Sequence, residues 1–148
     1  MSSEANKQLT LEVLERGFNR GDLSVFDEYI DPNGVDHQEP PGTPFIEHLK
    51  RVVTAMRTAF PDLHFEIHDI LADGDTVAFR STMTGTHSGV LAVLPGKQIP
   101  PTGRHVSVPH MHFVRVVDGK TTDLWHLWNI PMMMGQLGIA PENQRQTA

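Results

Sequence analysis

Two strand-like segments on either side of a turn, near the C-terminus, restrict the fold more than any other feature of the chain. Segment 110–117 reads HMHFVRVV and segment 123–129 reads DLWHLWN. Both are rich in β-branched, aromatic and aliphatic residues, which are typical of strands. Asp118-Gly119 lies between them and is a strong signal for a hairpin turn. The sequence therefore predicts an antiparallel β-hairpin.

The histidines of this hairpin are placed to share one surface. Side chains alternate faces along a strand, so His110 and His112 lie on the same face of the first arm. A three-residue loop at 117–119 would pair His110 with His126 and bring three imidazoles together. A two-residue turn would shift the pairing by one and put Trp125 there instead. We predict the three-residue loop.

Composition excludes several functional classes. At 148 residues the chain is long enough for one domain with a buried core. It has no cysteine, which rules out disulfides, a thiol nucleophile and a thiolate metal site. A net charge of −6 argues against nucleic acid and anionic membrane as partners. We see no stretch of signal-peptide type and no segment long enough to span a membrane, and we expect a cytoplasmic location.

Upstream of the hairpin, periodicity predicts helices first and strands afterwards. Apolar residues recur at helical spacing in three segments, 4–19, 22–30 and 43–60. Thr43 is the expected N-cap of the third helix, with Pro44 at its first position. The other predicted elements before and after the hairpin are a turn at 31–34, an extended piece at 35–38, strands at 63–71 and 76–85, a long loop at 87–103 and a short helix at 131–137.

This order of elements predicts the fold class. Helices followed by strands joined by hairpins indicate an α+β fold with a mainly antiparallel sheet. Three N-terminal helices against one face of a strongly curved sheet would form a cone with a cavity for a small apolar ligand. We expect one domain over residues 1–148, with flexible tails at 1–4 and 140–148.

Six short motifs, taken in order and at their spacing, resemble the SnoaL-like polyketide cyclase (ester cyclase) family. They are Phe60-Pro61-Asp62-Leu63, Gly74-Asp75-Thr76-Val77-Ala78, Gly85-Thr86-His87-Ser88-Gly89, Pro100-Pro101-Thr102-Gly103-Arg104, Arg115-Val116-Val117-Asp118-Gly119-Lys120 and Gln136-Leu137-Gly138. The resemblance runs from the first helix to Gly138. It implies the nuclear-transport-factor-2-like cone fold, often as a homodimer, and aldol ring closure in polyketides, a reaction of antibiotic and other secondary metabolism. No metal or cofactor is implied.

The resemblance also points to particular residues. The cyclases have a histidine shortly before the hairpin turn, which is His112 here. Their aspartate base falls at the position of His126, and a second aspartate of many members falls at Asn129. A family asparagine on the first strand falls at Asp36, beside His37. Both family carboxylate positions are therefore changed in this chain.

These residues suggest how aldol closure would proceed. The reaction needs a base for a proton α to a carbonyl and a donor for the enolate oxygen. Desolvation in an apolar pocket disfavours imidazolium, so a neutral His126 could accept the proton. His112 or His110 could donate to the oxyanion, and Asp36 could orient a histidine or act as the base. We expect His126, His112 and Asp36 to be catalytic.

Four further residues are expected to contact the substrate, an apolar or polyketide-like small molecule: His37, His110, Trp128 and Asn129. The alternating pattern places Trp125 and Leu127 on the outer face of the sheet, which indicates an interface and fits the implied homodimer. We expect His48, His64 and His68 to be solvated.

Other readings of the same histidines stay open at this point. His110, His112 and His126, with His37 or Asp36, could hold zinc or another first-row metal. The hairpin's inner face offers no carboxylate, and we predict no metal. Histidines on a sheet can also serve only to satisfy hydrogen bonds. A ligand-binding protein without catalysis, or a hydrolase or hydroxylase variant of the fold, are the alternative functions.

Overall fold

The computed structural model describes residues 2–92 and 96–139, which form four α-helices and a five-stranded sheet. The helices are α1 Ser3–Val13, α2 Ser24–Tyr29, α3 Phe45–Ala59 and α4 Ile130–Gln136, and a π-helical segment Leu14–Asn19 continues α1. The strands are β1 Ile30–Asp36, β2 His64–Asp73, β3 Thr76–Thr86, β4 His105–Val117 and β5 Lys120–Trp128. The α+β fold is confirmed.

The sheet has the strand order β1-β5-β4-β3-β2. Every neighbouring pair is antiparallel except β1 and β5, which run parallel. The sheet is therefore mainly antiparallel, as predicted. Its one parallel pair brings the end of β1, at Asp36, next to Leu124 of β5.

The turn between β4 and β5 differs from the predicted loop. Val117 pairs with Lys120, so the turn has two central residues, Asp118 and Gly119. Their φ angles are 50° and 76°, and positive φ at both positions defines the type I′ turn that suits the twist of a hairpin. The prediction of a three-residue loop was wrong.

A β-bulge then shifts the pairing within the hairpin. The register steps from Val116–Thr121 to Arg115–Asp123, which leaves Thr122 as the extra residue of β5. His112 is consequently opposite His126, and the predicted pairing of His110 with His126 was wrong. The bulge also reverses the facing of every later side chain of β5, because one inserted residue changes the alternation.

Smaller differences concern element ends. Helix α1 begins at Ser3, so Ser3 and Glu4, expected in a flexible tail, form its first turn. The predicted turn at 31–34 is part of the irregular strand β1. Pro44, not Thr43, is the N-cap of α3, and the Thr43 hydroxyl bonds the Pro40 carbonyl instead. The predicted tail 140–148 lies outside the described residues.

The helices cover one face of the sheet. The buried side of α3 carries Phe45, Leu49, Val53 and Met56 at helical spacing. Inward and outward residues alternate along β4, whose inner residues are buried at every second position. Within the described residues, no helix has the length and apolar character needed to cross a membrane.

We predict that Gly34→Ala destabilises the protein by about 1–3 kcal/mol, the usual cost of overpacking. A Cβ at residue 34 would lie 2.8 Å from the Thr122 carbonyl oxygen and 2.6 Å from Cδ2 of Phe45. Strand β1 would have to move away from the bulge of β5. Denaturant unfolding measures the effect. Gly135→Ala in α4 is the matched control, because an added Cβ there meets nothing within 4 Å; equal stability of the two variants would contradict the prediction.

Candidate active site

A cavity of about 330 Å³ lies between the helices and the inner face of the sheet. Aliphatic and aromatic side chains form most of its wall. The carboxylates and imidazoles that line it are Asp36, Glu39, His48, His110, His112 and His126. An apolar cavity with a few convergent polar groups is the usual form of a small-molecule site.

A chain of contacts links three of these residues. Asp36 comes from the end of β1, and its Oδ2 lies 3.2 Å from Nε2 of His126 on β5. Nδ1 of His126 lies 3.1 Å from Nε2 of His110 on β4. The backbone N–H of His126 donates to the Gln38 side chain at 2.8 Å, which fixes this part of β5. The contact between Asp36 and His126 forms because β1 and β5 are parallel neighbours in the sheet. The two residues are 90 positions apart in the sequence.

Asp36 is buried, with only 5% of its surface exposed. Burial, the largest single influence, would raise the pKa of its carboxyl. Hydrogen bonds from His126, from His48 and from the Gln38 N–H together outweigh burial and lower the pKa below its ordinary value. The cavity wall therefore contains an ionised carboxylate whose partners are largely imidazoles.

His110 and His112 lie deep in the same wall. Burial, helped by the nearby His126, lowers the pKa of His110 to about 3. Burial also lowers the pKa of His112 well below its ordinary value. Nδ1 of each ring is buried and has no hydrogen-bond partner among the described residues. Both rings are therefore neutral near pH 7, and both contain an unpaired polar atom of a kind that is rare in an ordinary core.

Aromatic packing orients these two rings. His112 stacks on Phe79 with centroids 4.3 Å apart and an angle of 10°. The His110 and His112 rings are 3.9 Å apart. Trp128 lines the cavity beside His110, with centroids 5.6 Å apart. The sheet thus brings His110, His112, His126 and Trp128 onto one surface, the facing expected from the sequence.

Two expected substrate contacts are not part of the cavity wall. His37 stacks on Trp125 at 4.3 Å and its Nε2 donates to Asp123 at 2.9 Å. It follows the inward-facing Asp36, so the alternation of the strand turns it away from the cavity. The Asn129 side chain accepts from the N–H of Met132 and caps α4. The structure therefore does not support substrate contacts for either residue.

The sequence reading missed Glu39 and His48. His48 was expected to be solvated, yet only 14% of its side chain is exposed and it lines the cavity. Its Nε2 lies 3.4 Å from Asp36 Oδ2 and 3.3 Å from Glu39 Oε1. Helical spacing could have predicted that His48 faces inward, because it is three residues after the buried Phe45 and shares its face of α3.

Among the residues that the structure describes, Asp36, Glu39 and His48 are also a group that could hold a metal ion. Each offers one donor atom, and the three atoms lie within 4.8 Å of one another. This set differs from the one that the sequence suggested as metal ligands, which was centred on the hairpin residues His110, His112 and His126. The absence of a metal from the reaction stays a prediction.

Comparison with known proteins identifies the family. The model of the SnoaL-like polyketide cyclases matches residues 8–137. The chain belongs to this family. Aklanonic acid methyl ester cyclase DnrD of Streptomyces peucetius is 31% identical over 97 residues, which are 65% of this chain and 62% of DnrD. DauD of Streptomyces sp. strain C5, named for the same activity, is 30% identical over 100 residues, 67% of this chain and 58% of DauD. The aligned part thus spans about three-fifths of these relatives.

Solved structures cover nearly the whole chain. IdmH of Streptomyces antibioticus, proposed to be a polyketide cyclase, has a TM-score of 0.74 and 33% identity, over 90% of this chain and 99% of IdmH. AclR of Streptomyces galilaeus, proposed to be a hydroxylase, has a TM-score of 0.76 and 31% identity, over 95% of this chain and all of AclR. The cone-shaped α+β fold is therefore that of the family.

We predict that the protein loses stability on mild acidification and that His110 causes part of the loss. The pKa of His110 is about 3 in the folded protein, below the ordinary value of about 6.5. As the pH falls, His110 therefore binds a proton in the unfolded chain before it does so in the folded protein. The contribution of His110 is fully present above pH 6.5 and is lost as the pH falls towards 3. Between pH 7 and pH 5 it amounts to about 2 kcal/mol.

The measurement is denaturant unfolding at pH 7 and at pH 5. His110→Gln should lose less free energy of unfolding over this interval than the wild type, whatever its stability at pH 7. His64→Gln, at an exposed position, is the control and should keep the wild-type difference. Identical pH dependence in all three proteins would show that His110 is not held neutral by the fold.

Proposed function

We propose that the protein closes a ring in a polyketide-like carbonyl compound by an intramolecular aldol reaction, using general acid–base catalysis without a metal or cofactor. The observation that carries the proposal is the contact chain Asp36–His126–His110 in the wall of an apolar cavity. Membership of a cyclase family supplies the reaction class.

The proton acceptor is Nδ1 of His126. Its Nε2 donates to Asp36, so the lone pair of the ring is on Nδ1, which lies 3.1 Å from Nε2 of His110. The α-carbon of the substrate takes the place of this contact with His110 when the proton is transferred. Asp36 therefore orients His126 and stabilises the imidazolium that forms.

His112 is the donor to the enolate oxygen. Burial keeps its ring neutral, so it retains one N–H and does not compete for the substrate proton. Its Nδ1 is fully buried, which leaves Nε2 as the nitrogen that can reach a bound molecule. A fixed donor in an apolar site stabilises a developing oxyanion more strongly than water does.

The family resemblance is consistent with a base made of different residues in this chain. It places an aspartate at position 126 and an asparagine at position 36. This chain has the carboxylate at Asp36 on β1 and an imidazole at His126 on the adjacent β5, with 3.2 Å between their polar atoms. A carboxylate is thus present beside the expected position of the base, one strand away.

The substrate is proposed from the cavity and from the relatives. DnrD and DauD are named for aklanonic acid methyl ester, an ester with carbonyl groups, and a compound of this class suits an apolar cavity with a carbonyl-binding imidazole. Trp128 offers an aromatic face beside His110 for a planar ring. A place in antibiotic biosynthesis follows from this substrate class.

The direct experiment incubates the purified protein with aklanonic acid methyl ester and separates the products by liquid chromatography with mass detection. A product of unchanged mass and new retention supports ring closure. A mass increase of one oxygen would indicate a hydroxylase. Tight binding without any conversion, across a panel of polyketide esters, would favour a binding protein.

We predict that Asp36→Asn and His126→Ala each lower turnover by roughly a hundred- to ten-thousand-fold, the usual range for general acid–base catalysis. The amide keeps the shape of Asp36 but cannot stabilise an imidazolium, and the His126 variant breaks the chain in its middle. Substrate affinity should change much less. Steady-state kinetics separate the two effects.

Asp123→Asn is the matched control. Asp123 also contacts a histidine, His37, at 2.9 Å, but this pair lies away from the cavity. Its turnover should equal that of the wild type. Wild-type turnover in Asp36→Asn would remove the Asp36–His126 pair from the mechanism.

We also propose a homodimer that forms through the outer face of the sheet. Met111, Phe113 and Leu127 are 61%, 54% and 74% exposed there, and Leu71 is 73% exposed in the same face. Phe113 is paired with Trp125, and Met111 with Leu127, so these residues form a continuous apolar surface. Surfaces of this kind usually mark an interface.

We predict that Phe113→Lys converts the dimer to a monomer, because a charge would be buried in the centre of the apolar surface. Multi-angle light scattering at micromolar concentration measures the mass. Val90→Lys is the control, since Val90 is 43% exposed but lies outside the sheet. A wild-type protein that is strictly monomeric would reject the dimer.

A further inference from the structure

His48 occupies a position in the cavity that the mechanism above does not use. It lies on α3, opposite the strands that carry the other cavity histidines, and lines the cavity. Its Nε2 is between two carboxylates, 3.4 Å from Asp36 and 3.3 Å from Glu39. Carboxylate oxygens accept hydrogen bonds only, so we assign a proton to Nε2.

The other nitrogen of His48 distinguishes it from the remaining cavity histidines. His126 has both ring nitrogens engaged by side chains, and His110 and His112 each have a fully buried Nδ1. Nδ1 of His48 has no hydrogen-bond partner among the described residues and is not one of their fully buried unpaired atoms. Nδ1 therefore has some accessible surface, and since the ring lines the cavity, it is the nitrogen that we assign to a bound molecule.

A histidine held in this way is prepared for proton transfer. When one ring nitrogen is fixed against a carboxylate, the other nitrogen exchanges the proton with a reacting group. Asp36 Oδ2 contacts both His126 and His48, at 3.2 Å and 3.4 Å. One carboxylate therefore holds two histidines, one from the sheet and one from the helices.

We propose that His48 is a second catalytic residue, which gives a proton to the oxygen of the carbonyl that the enolate attacks. The proposal rests on the aldol function proposed above. In this proposal His48 enters the reaction as its imidazolium, with one proton on each nitrogen and Nε2 beside the two carboxylates. His126 takes the α-proton, and the electrons of that C–H bond form the enolate. The enolate carbon bonds to the second carbonyl carbon, whose oxygen receives the π electrons and then the Nδ1 proton of His48, which leaves that ring neutral. His126 then gives a proton to water and His48 regains one from water, so the number of protons is unchanged.

The position of His48 suits this step. Ring closure places the α-carbon and the attacked carbonyl side by side, so their proton-transfer groups must lie close together but approach from different directions. Asp36 fixes the separation of His48 and His126, and the two elements that carry them, α3 and β5, supply the directions. Without His48, the protonated His126 would have to return its proton to the new alkoxide. His48 supplies a donor from the opposite, helical side of the cavity.

The test separates the two halves of the reaction, with aklanonic acid methyl ester as the probe. In deuterated water, removal of the α-proton is followed as hydrogen–deuterium exchange by NMR, above the rate without protein. Ring closure is followed by chromatography. His48→Gln keeps an amide N–H that can reach the two carboxylates but has no group that transfers a proton. We expect it to retain exchange and to lose closure by roughly a hundred- to ten-thousand-fold.

Controls complete the design. His64→Gln, at an exposed position, should match the wild type in both assays. Retained exchange shows that the variant is folded, and His48→Asn serves as a second variant if the glutamine protein does not fold.

Three results would overturn the proposal while the aldol function stands. The first is closure at the wild-type rate in His48→Gln. The second is equal loss of exchange and closure in a folded variant, which would make His48 a positioning residue for Asp36. The third is wild-type closure that a chelator abolishes and zinc restores, which would assign Asp36, Glu39 and His48 to a metal. A wild-type protein with neither exchange nor closure would instead reject the aldol function itself.

Discussion

The site depends on the hydrogen bonds of the ionised Asp36 carboxylate, which is buried beneath the helices. A buried charge is unfavourable unless hydrogen bonds compensate for the lost water. Here the compensation comes from His126 on the sheet, His48 on α3 and the N–H of Gln38. Because these partners come from separate elements, the carboxylate ties the helices to the sheet at the place where the cavity needs a fixed charge.

The four histidines of the cavity wall differ in their surroundings. Burial keeps His110 and His112 neutral, whereas His126 and His48 each contact the carboxylate. Identical residues therefore have different surroundings, set by depth and by distance from Asp36. In the function proposed above, this arrangement supplies the acid–base groups, although positions 126 and 129 carry histidine and asparagine where the resemblance places aspartates.

The sequence predicted the fold and the faces of the hairpin residues correctly, although it predicted the wrong turn between the two strands. His110, His112, His126 and Trp128 do line one surface. The predicted loop was wrong, however, and a two-residue turn alone would have faced Trp125 inward. The bulge at Thr122 restores the facing of His126, and nothing in the local composition of β5 indicates an inserted residue.

The sequence by itself determined the α+β class, the hairpin and the residue types of the site, because alternation, helical spacing and turn residues act over a few positions. Only the tertiary structure decided which of these residues meet. Asp36 reaches His126 because β1 pairs in parallel with the last strand, His37 turns away because it is the next residue, and Asn129 caps a helix. His48 joins the site because the packing of α3 on the sheet encloses it, and contacts between distant segments leave no periodic trace in the chain.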